Sequence, residues 1–257
     1  MRAVIMGCGG SGGVPLIGNV WGACDPAEPR NRRTRVSLLV EEGPTTLVVD
    51  TTPDFRAQML AAGAGRLDAV LFTHDHADHC HGIDDIRNVN RLVRAPIAAY
   101  GDAHTLETLA RRFAYIFAES DPIYGFYKPT LIPNPVEGPF QVGEIGITPF
   151  RQDHGFGRTT LGYRFGRLAY STDAVSLDEA AFAALAGVEV WIVDCLRLVP
   201  HPTHSHLERT LEWIARVKPA RAILTHMNHE LDYRSLQALL PPGVEPGYDG
   251  LTITLND

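Results

Sequence analysis

Thr73-His74-Asp75-His76-Ala77-Asp78-His79 decides how this chain is read. It follows directly on Asp68–Phe72, an apolar run that reads as a strand. In extended backbone, residues two apart project the same way, so His74 and His76 converge on one ion. A turn into a helix after them aims Asp78 and His79 at a second ion close by. Imidazole nitrogens and carboxylate oxygens suit zinc, manganese or iron without redox-sensitive thiolates. Four of the chain's 11 histidines lie between His74 and His81, a local density that argues against a polar loop rich in histidine by chance. His81 and Cys80 fall past the ligand spacing and read as bystanders.

On either side of this segment, short apolar runs bounded by Gly, Pro or polar clusters predict strands. They are Ala3–Met6, Val36–Val40, Thr46–Val49, Ile97–Tyr100, Ile145–Phe150, Thr160–Phe165 and Leu168–Ser171. Val190–Val193 and Ala222–Leu224 are continuously apolar, as in strands covered on both faces. Helical patterns fall between them, at Pro53–Ala62 (with Pro53 in the first turn), Thr105–Phe117, Leu177–Leu185 and Leu207–Val217. The segment 119–140 holds five prolines and several aromatics and reads as a loop or lid. No linker divides the chain, so residues 1–257 are expected to form a single α/β domain, and 45% hydrophobic residues suffice for a large core.

A formal net charge of −7 argues against binding long nucleic acid, which needs a broad basic surface. No stretch has the apolar length of a membrane span, and Met1–Gly7 is too short an apolar run for a secretory signal. A cytoplasmic protein is expected, with Cys8, Cys24, Cys80 and Cys195 as free thiols. Gly7-Cys8-Gly9-Gly10-Ser11-Gly12 matches the dinucleotide-binding fingerprint, but Pro15, Gly18 and Gly22 forbid the helix that motif must open. It reads instead as a turn that lets backbone approach something closely.

His74-x-His76-x-Asp78-His79 after a strand resembles the signature of the metallo-β-lactamase superfamily. The resemblance implies an αββα four-layer sandwich, two mixed sheets flanked by helices. It also implies the remaining site residues. Asp50, ending Thr46–Val49, matches the acidic residue that buttresses the metal loop. His154 matches the third histidine of the first metal, Asp173 the carboxylate shared by both, and His226 the last ligand of the second. The implied sets are His74, His76 and His154 on one divalent ion and Asp78, His79 and His226 on the other, with Asp173 bridging. Zinc and manganese both fit.

Two features favour phosphodiesters among the superfamily's substrates. Thr203-His204-Ser205-His206-Leu207 resembles the histidine motif of the phosphodiesterase branch, which includes the tRNA 3′-end-processing enzymes. That likeness gives His204 a catalytic, substrate-facing role; His206 is an alternative, and both also suit helix capping. Gly7–Pro15, Asp194-Cys195, Thr225-His226-x-x-His229 and Gly247–Leu251 are similar to the phosphoribosyl cyclic phosphodiesterase family associated with carbon–phosphorus lyase. The likeness implies hydrolysis of a five-membered cyclic phosphate on ribose, or of a short nucleotide phosphodiester, by a hydroxide bridging the two ions. Asp78 would orient that hydroxide. A homodimer is likewise implied. That family's Cys-x-Cys-x-x-Cys zinc cluster is reduced here to Cys24 and His229, so no structural zinc is expected. Arg30, Arg32, Arg33 and Arg35 read as an ion-paired segment or, alternatively, a phosphate clamp. Tyr115, Phe117, Tyr124, Phe126 and Tyr127 read either as a lid over a base or sugar, or as loop anchors. Thioester hydrolysis of the glyoxalase type uses the same ligands, and a non-catalytic metal-binding scaffold is the remaining alternative.

Overall fold

In β1 (Arg2–Gly7), Ala3 and Ile5 enter one apolar cluster while Val4 and Met6 enter another. The same two-residue alternation divides Leu38 and Val40 from Leu39, Leu47 and Val49 from Val48, and Ala69 and Leu71 from Val70. These residues belong to β2 (Ser37–Glu42), β3 (Thr45–Val49) and β4 (Ala69–Leu71). A strand that buries both sets must lie in a sheet covered on both faces. Each such Val, Leu or Ile contributes about 1.5–3 kcal/mol relative to exposure.

The computed structural model describes residues 1–119, 126 and 128–255. β5 (Ile97–Gly101) and β6 (Leu131–Pro135) extend the first sheet. The second sheet holds β7 (Phe140–Val142), β8 (Ile145–Asp153), β9 (Thr159–Phe165), β10 (Leu168–Ser171), β11 (Val190–Asp194), β12 (Arg221–Thr225) and β13 (Val244–Pro246). β14 (Leu251–Thr254) returns to the edge of the first. The orders are β14-β1-β2-β3-β4-β5-β6 and β13-β12-β11-β10-β9-β8-β7. In each sheet three antiparallel pairings give way to three parallel ones, so both sheets are mixed.

The inner faces meet in one cluster, where Leu38, Val49 and Leu71 of the first sheet join Leu161, Tyr163 and Phe165 of the second. Phe55 and Met59 of α1 (Phe55–Ala62) cover the outer face of the first sheet. After the short α2 (Ala77–Cys80), Ile86 and Val89 of α3 (Ile86–Val93) join them. So do Leu106 and Leu109 of α4 (Ala103–Arg112) and Ile116 of α5 (Ala114–Phe117). The second sheet receives Ala181 and Leu185 of α6 (Glu179–Leu185), Trp213 and Ile214 of α7 (Leu207–Val217) and Leu236 of α8 (Tyr233–Leu239). The result is the αββα four-layer sandwich of the metallo-β-lactamase fold.

Three readings need correcting. The segment 119–140 is not all loop, because β6 and the first residue of β7 lie in it. Prolines are tolerated there because β6 is an edge strand, bonded among the described residues only to β5, so a missing N–H on its open side costs no ladder bond. Residues 120–125 and 127, with Tyr124 and Tyr127, lie outside the described residues. The helix expected over Thr105–Phe117 breaks at Phe113, which separates α4 from α5. Pro53 precedes α1 rather than entering its first turn.

Candidate metal centre

The site gathers where parallel strands end, the place where open α/β sheets bind ligands. Asp50 directly follows β3, His74 lies just past β4, Asp173 past β10, and His226 directly follows β12. Asp50, Asp173 and His226 have φ of 64°, 57° and 58°, left-handed values that non-glycine residues rarely adopt. Such strain persists where surrounding structure over-determines it, typically at functional sites. The glycine turn after β1 holds one of these bends. Gly10 N donates to Met227 O (3.1 Å) and Met227 N to Cys8 O (2.9 Å). A Cβ on Gly10 would lie 3.6 Å from His226 Cε1, so the close approach expected of this turn is to a ligand-bearing loop.

His74 and His76 lie in extended chain, and His76 is the N-cap of α2, which carries Asp78 and His79. The backbone thus changes direction between the two ligand pairs. His74, His76 and His154 form one metal-capable group, and Asp78, His79 and His226 another. Asp173 spans them: its Oδ1 is 3.8 Å from His74 Nε2 and 3.9 Å from His154 Nε2, and its Oδ2 is 3.2 Å from His79 Nε2 and 3.5 Å from His226 Nε2.

The hydrogen bonds around the ring show which nitrogens are free. Thr73 Oγ1 donates to Asp50 Oδ2 (2.7 Å) and so accepts from His74 Nδ1 (3.0 Å). His79 Nδ1 donates to Asp50 Oδ2 (2.7 Å) and His154 Nδ1 to Thr203 O (2.9 Å). Each bond puts a proton on Nδ1 and turns Nε2 toward the centre, the usual arrangement for metal-ligating histidines. His74 Nε2, His79 Nε2 and His226 Nε2 are fully buried with no hydrogen-bond partner among the described residues. Buried polar atoms are rarely left so, and three converging on one carboxylate fit divalent cations.

Electrostatics agree. Burial, then neighbouring His79, hold the His74 pKa well below its ordinary value, and burial lowers His76 and His154 as well; these rings stay neutral donors. Burial opposes ionisation of Asp173, but His226, His79 and His204 outweigh it and hold its carboxyl well below the usual range. Asp78 behaves similarly, with His79 overcoming burial. His79 is raised well above its ordinary value because Asp173, Asp78 and Asp50 outweigh its burial. A divalent cation at its Nε2 would take that proton's place.

His204 joins the cluster. Its Nδ1 lies 3.3 Å from Asp194 Oδ2 and 3.8 Å from Asp173 Oδ1, and its ring stacks on His226 at 4.6 Å. Burial disfavours its charge, but Asp173 and Asp194 push its pKa up to about 9. Among the described residues His206 belongs to none of the metal-capable groups and instead is the N-cap residue of α7, with no side-chain cap bond there.

Two residues that touch the site had no site role assigned from sequence, Asp194 having been noted only within a family likeness and Arg158 not at all. Asp194 also accepts from Ala174 N (3.0 Å), tying the loop after Asp173 to His204. Its position at the end of an apolar strand, as with Asp50, was the available signal. Arg158 donates from Nη1 to His76 Nε2 (2.6 Å).

The Arg30–Arg35 run is consumed by structure. Arg33 donates to Asn228 O (3.1 Å) and Leu231 O (2.7 Å), Arg35 Nε pairs with Asp54 (3.0 Å), Arg30 lies over Tyr233, and Arg32 over Trp21. Cys24 Sγ donates to Leu231 O at 3.4 Å. Tyr115 Oη donates to Asp84 Oδ1 (2.6 Å), and Phe117 packs against the helices over the first sheet.

Residues 45–227 match the beta-lactamase superfamily domain. With this fold and this His/Asp centre, the chain belongs to the metallo-β-lactamase superfamily of metal-dependent hydrolases. Its place within the superfamily is the PhnP family. The crystal structure of a new diphosphatase from that family superposes with a TM-score of 0.89 at 32% identity, covering 99% of this chain and 98% of the other. An octanoyltransferase from Porphyromonas gingivalis is 32% identical over 260 residues, 100% of this chain but only 52% of its own length. The chain thus spans about half of that relative. Zinc-bound PqqB from Methylobacterium extorquens shares the fold, with a TM-score of 0.74 at 21% identity over 99% of this chain and 100% of its own.

Proposed function

We propose that the chain is a two-metal phosphodiesterase acting on a small phosphodiester, either a five-membered cyclic phosphate on ribose or a short nucleotide. The observation that carries this reading is His204, an imidazole held between Asp173 (3.8 Å) and Asp194 (3.3 Å) at the wall of the centre, where both carboxylates favour its protonated form. An alkoxide leaving group needs a proton, which a positioned imidazolium supplies, whereas a thiolate leaves without one. His204 therefore favours phosphodiester over thioester hydrolysis.

His74, His76 and His154 would hold one divalent cation, and Asp78, His79 and His226 the other, with Asp173 shared. Zinc and manganese both suit these donors. When bound, such a pair supplies a water-derived nucleophile at neutral pH and neutralises charge growing on the phosphate oxygens. Asp78, kept ionised, accepts a hydrogen bond from the attacking water and aims it at phosphorus. His204 Nδ1 donates to Asp194 Oδ2 (3.3 Å), which leaves Nε2–H to protonate the departing oxygen. Asp50 fixes His79 and, through Thr73, His74. The substrate partner is a small molecule, in keeping with the acidic net charge.

The test compares 2′,3′-cyclic AMP, bis(p-nitrophenyl) phosphate and a glutathione thioester, before and after chelation and metal add-back. Chelator-sensitive cleavage of the phosphodiesters alone is expected. His204→Ala should lower turnover of the cyclic ester by about 10²-fold, and far less for the p-nitrophenyl ester, whose leaving group needs no proton. Thioester turnover without phosphodiester cleavage would reverse the assignment.

A further inference from the structure

The geometry points to Arg33 as a positioning residue for the metal centre: its side chain holds the backbone loop that aims His226. The inference rests on the two-cation reading of the centre and is independent of which ester is cleaved.

Three of the ligand histidines are aimed through the ring nitrogen that faces away from the centre. His74 Nδ1 is held by Thr73 Oγ1 (3.0 Å), His79 Nδ1 by Asp50 Oδ2 (2.7 Å) and His154 Nδ1 by Thr203 O (2.9 Å). His226 has no such anchor. Neither of its ring nitrogens makes a hydrogen bond among the described residues, and Nδ1 lies 3.9 Å from Asp194 Oδ1, beyond hydrogen-bond reach. The ring is therefore directed by its backbone, which is itself strained at φ 58°. A conformation of that kind persists only where the chain on either side is held.

Arg33 grips both flanks of this loop. Its main chain pairs with Val14 (Arg33 N to Val14 O, 3.0 Å; Val14 N to Arg33 O, 2.8 Å). That pairing fixes the far end of the glycine turn whose Cys8 and Gly10 bond Met227. Its side chain crosses to the other flank, where Nη1 donates to Asn228 O (3.1 Å) and Nη2 to Leu231 O (2.7 Å). Nη2 also donates to Asn31 Oδ1 (3.2 Å), and Nη1 reaches Cys24 Sγ at 4.0 Å. Asn31 Oδ1 in turn accepts from Tyr233 N (2.8 Å) at the start of α8. The chain from His226 to α8 is thus fastened at both ends through one buried guanidinium and its neighbour.

Arg33 is only 2% exposed, and among the described residues no carboxylate pairs with it. Burying a cation against neutral acceptors is a poor source of stability, and an apolar side chain of like volume often serves a fold as well. What the guanidinium adds is direction, since its rigid fork fixes two carbonyls at once.

The experiment is a zinc titration of the chelator-treated protein against a chromogenic chelator, in the parent, Arg33→Met, Arg33→Lys and His226→Ala. His226→Ala identifies the binding step to which His226 contributes. Arg33→Met should weaken that same step about tenfold, the lower end of what losing support behind a metal-binding histidine costs, and leave the other step within about twofold. Arg33→Lys, whose ammonium still donates between the two carbonyls, should lose less. Unchanged steps, equal weakening of both, or a loss confined to the other step overturns the proposal. So does Arg33→Lys losing as much as Arg33→Met, because the donated hydrogen bonds would then not be what matters. Where Arg33→Met fails to fold, Arg33→Lys decides: a loss confined to the His226 step supports the role, and no loss overturns it.

Cleavage of bis(p-nitrophenyl) phosphate by the zinc-saturated parent separates this inference from the reaction assignment. No cleavage, with the pattern of zinc steps as expected, keeps the role of Arg33 and removes the phosphodiesterase reading. A parent protein without two zinc steps removes the two-cation reading, and this inference with it.

Discussion

Asp50→Asn tests how the centre is supported from behind. Three donors converge on the two Asp50 oxygens: Thr73 N at 2.8 Å, Thr73 Oγ1 at 2.7 Å and His79 Nδ1 at 2.7 Å. Asparagine offers one acceptor oxygen and an NH2 group. At least one buried donor must then face another donor, and a buried unsatisfied group costs about 1–3 kcal/mol. Burial raises the Asp50 pKa while His79 and Thr73 oppose it, so the carboxylate and these partners are mutually dependent. The damage falls first on His79, whose Nδ1 loses its anionic partner, and His79 belongs to the group with Asp78 and His226. Replacing a carboxylate behind a metal-ligating histidine typically weakens metal binding about 10–100-fold. Zinc titration against a chromogenic chelator should therefore show that loss in one of two binding steps, with the other changed much less. Two steps identical to the parent protein would refute the reasoning, as would equal weakening of both.

Other expectations follow from the same coordinates. His204 has its folded pKa raised from 6.5 to about 9, so its contribution is fully present below about pH 6.5 and is lost as pH rises through about 9. His79 shifts in the same direction. The test is therefore the difference between parent and His204→Ala in chelator-treated protein. Thermal unfolding from pH 6.5 to 9.5 should show the parent losing about 1–3 kcal/mol more than the variant, and parallel curves would contradict the pairing with Asp173 and Asp194. Gly155, at φ 75°, would place an added Cβ 2.3 Å from Pro202 O, whereas Gly157, at φ 73°, has nothing within 4 Å among the described residues. Gly155→Ala should displace the segment that carries His204 and lower turnover. Gly157→Ala should cost only backbone strain, seen as a modest fall in melting temperature, and equal turnover in the two variants would count against this route.

The strands were legible where alternation or continuous apolarity reflects burial on two faces, as in Leu38-Leu39-Val40 and Val190–Val193. β6 was not, because Pro133 and Pro135 speak against a strand unless its edge position is known. α3 spaces its apolar contacts at Ile86, Val89 and Val93 within only eight residues, too short a pattern to stand out against Arg87 and Arg91. The metal cluster was readable because two members of each of its two groups are packed into His74–His79, and coordination chemistry restricts what such a run can do. Asp194-Cys195 was legible only as part of a family likeness; the contact of Asp194 with His204 arises when the end of β11 and the loop before α7 are brought together. Arg30–Arg35 shows the converse, a conspicuous run whose charges serve Asp54, two backbone carbonyls and three aromatic rings.

The most direct measurement is a crystal of zinc-loaded protein with anomalous scattering recorded at the zinc edge. Two peaks per chain are expected, one among His74, His76 and His154 and the other among Asp78, His79 and His226, with Asp173 in contact with both. Asp173→Ala should abolish or displace both peaks. Zinc bound elsewhere, or a single peak that ignores either group, would contradict the account.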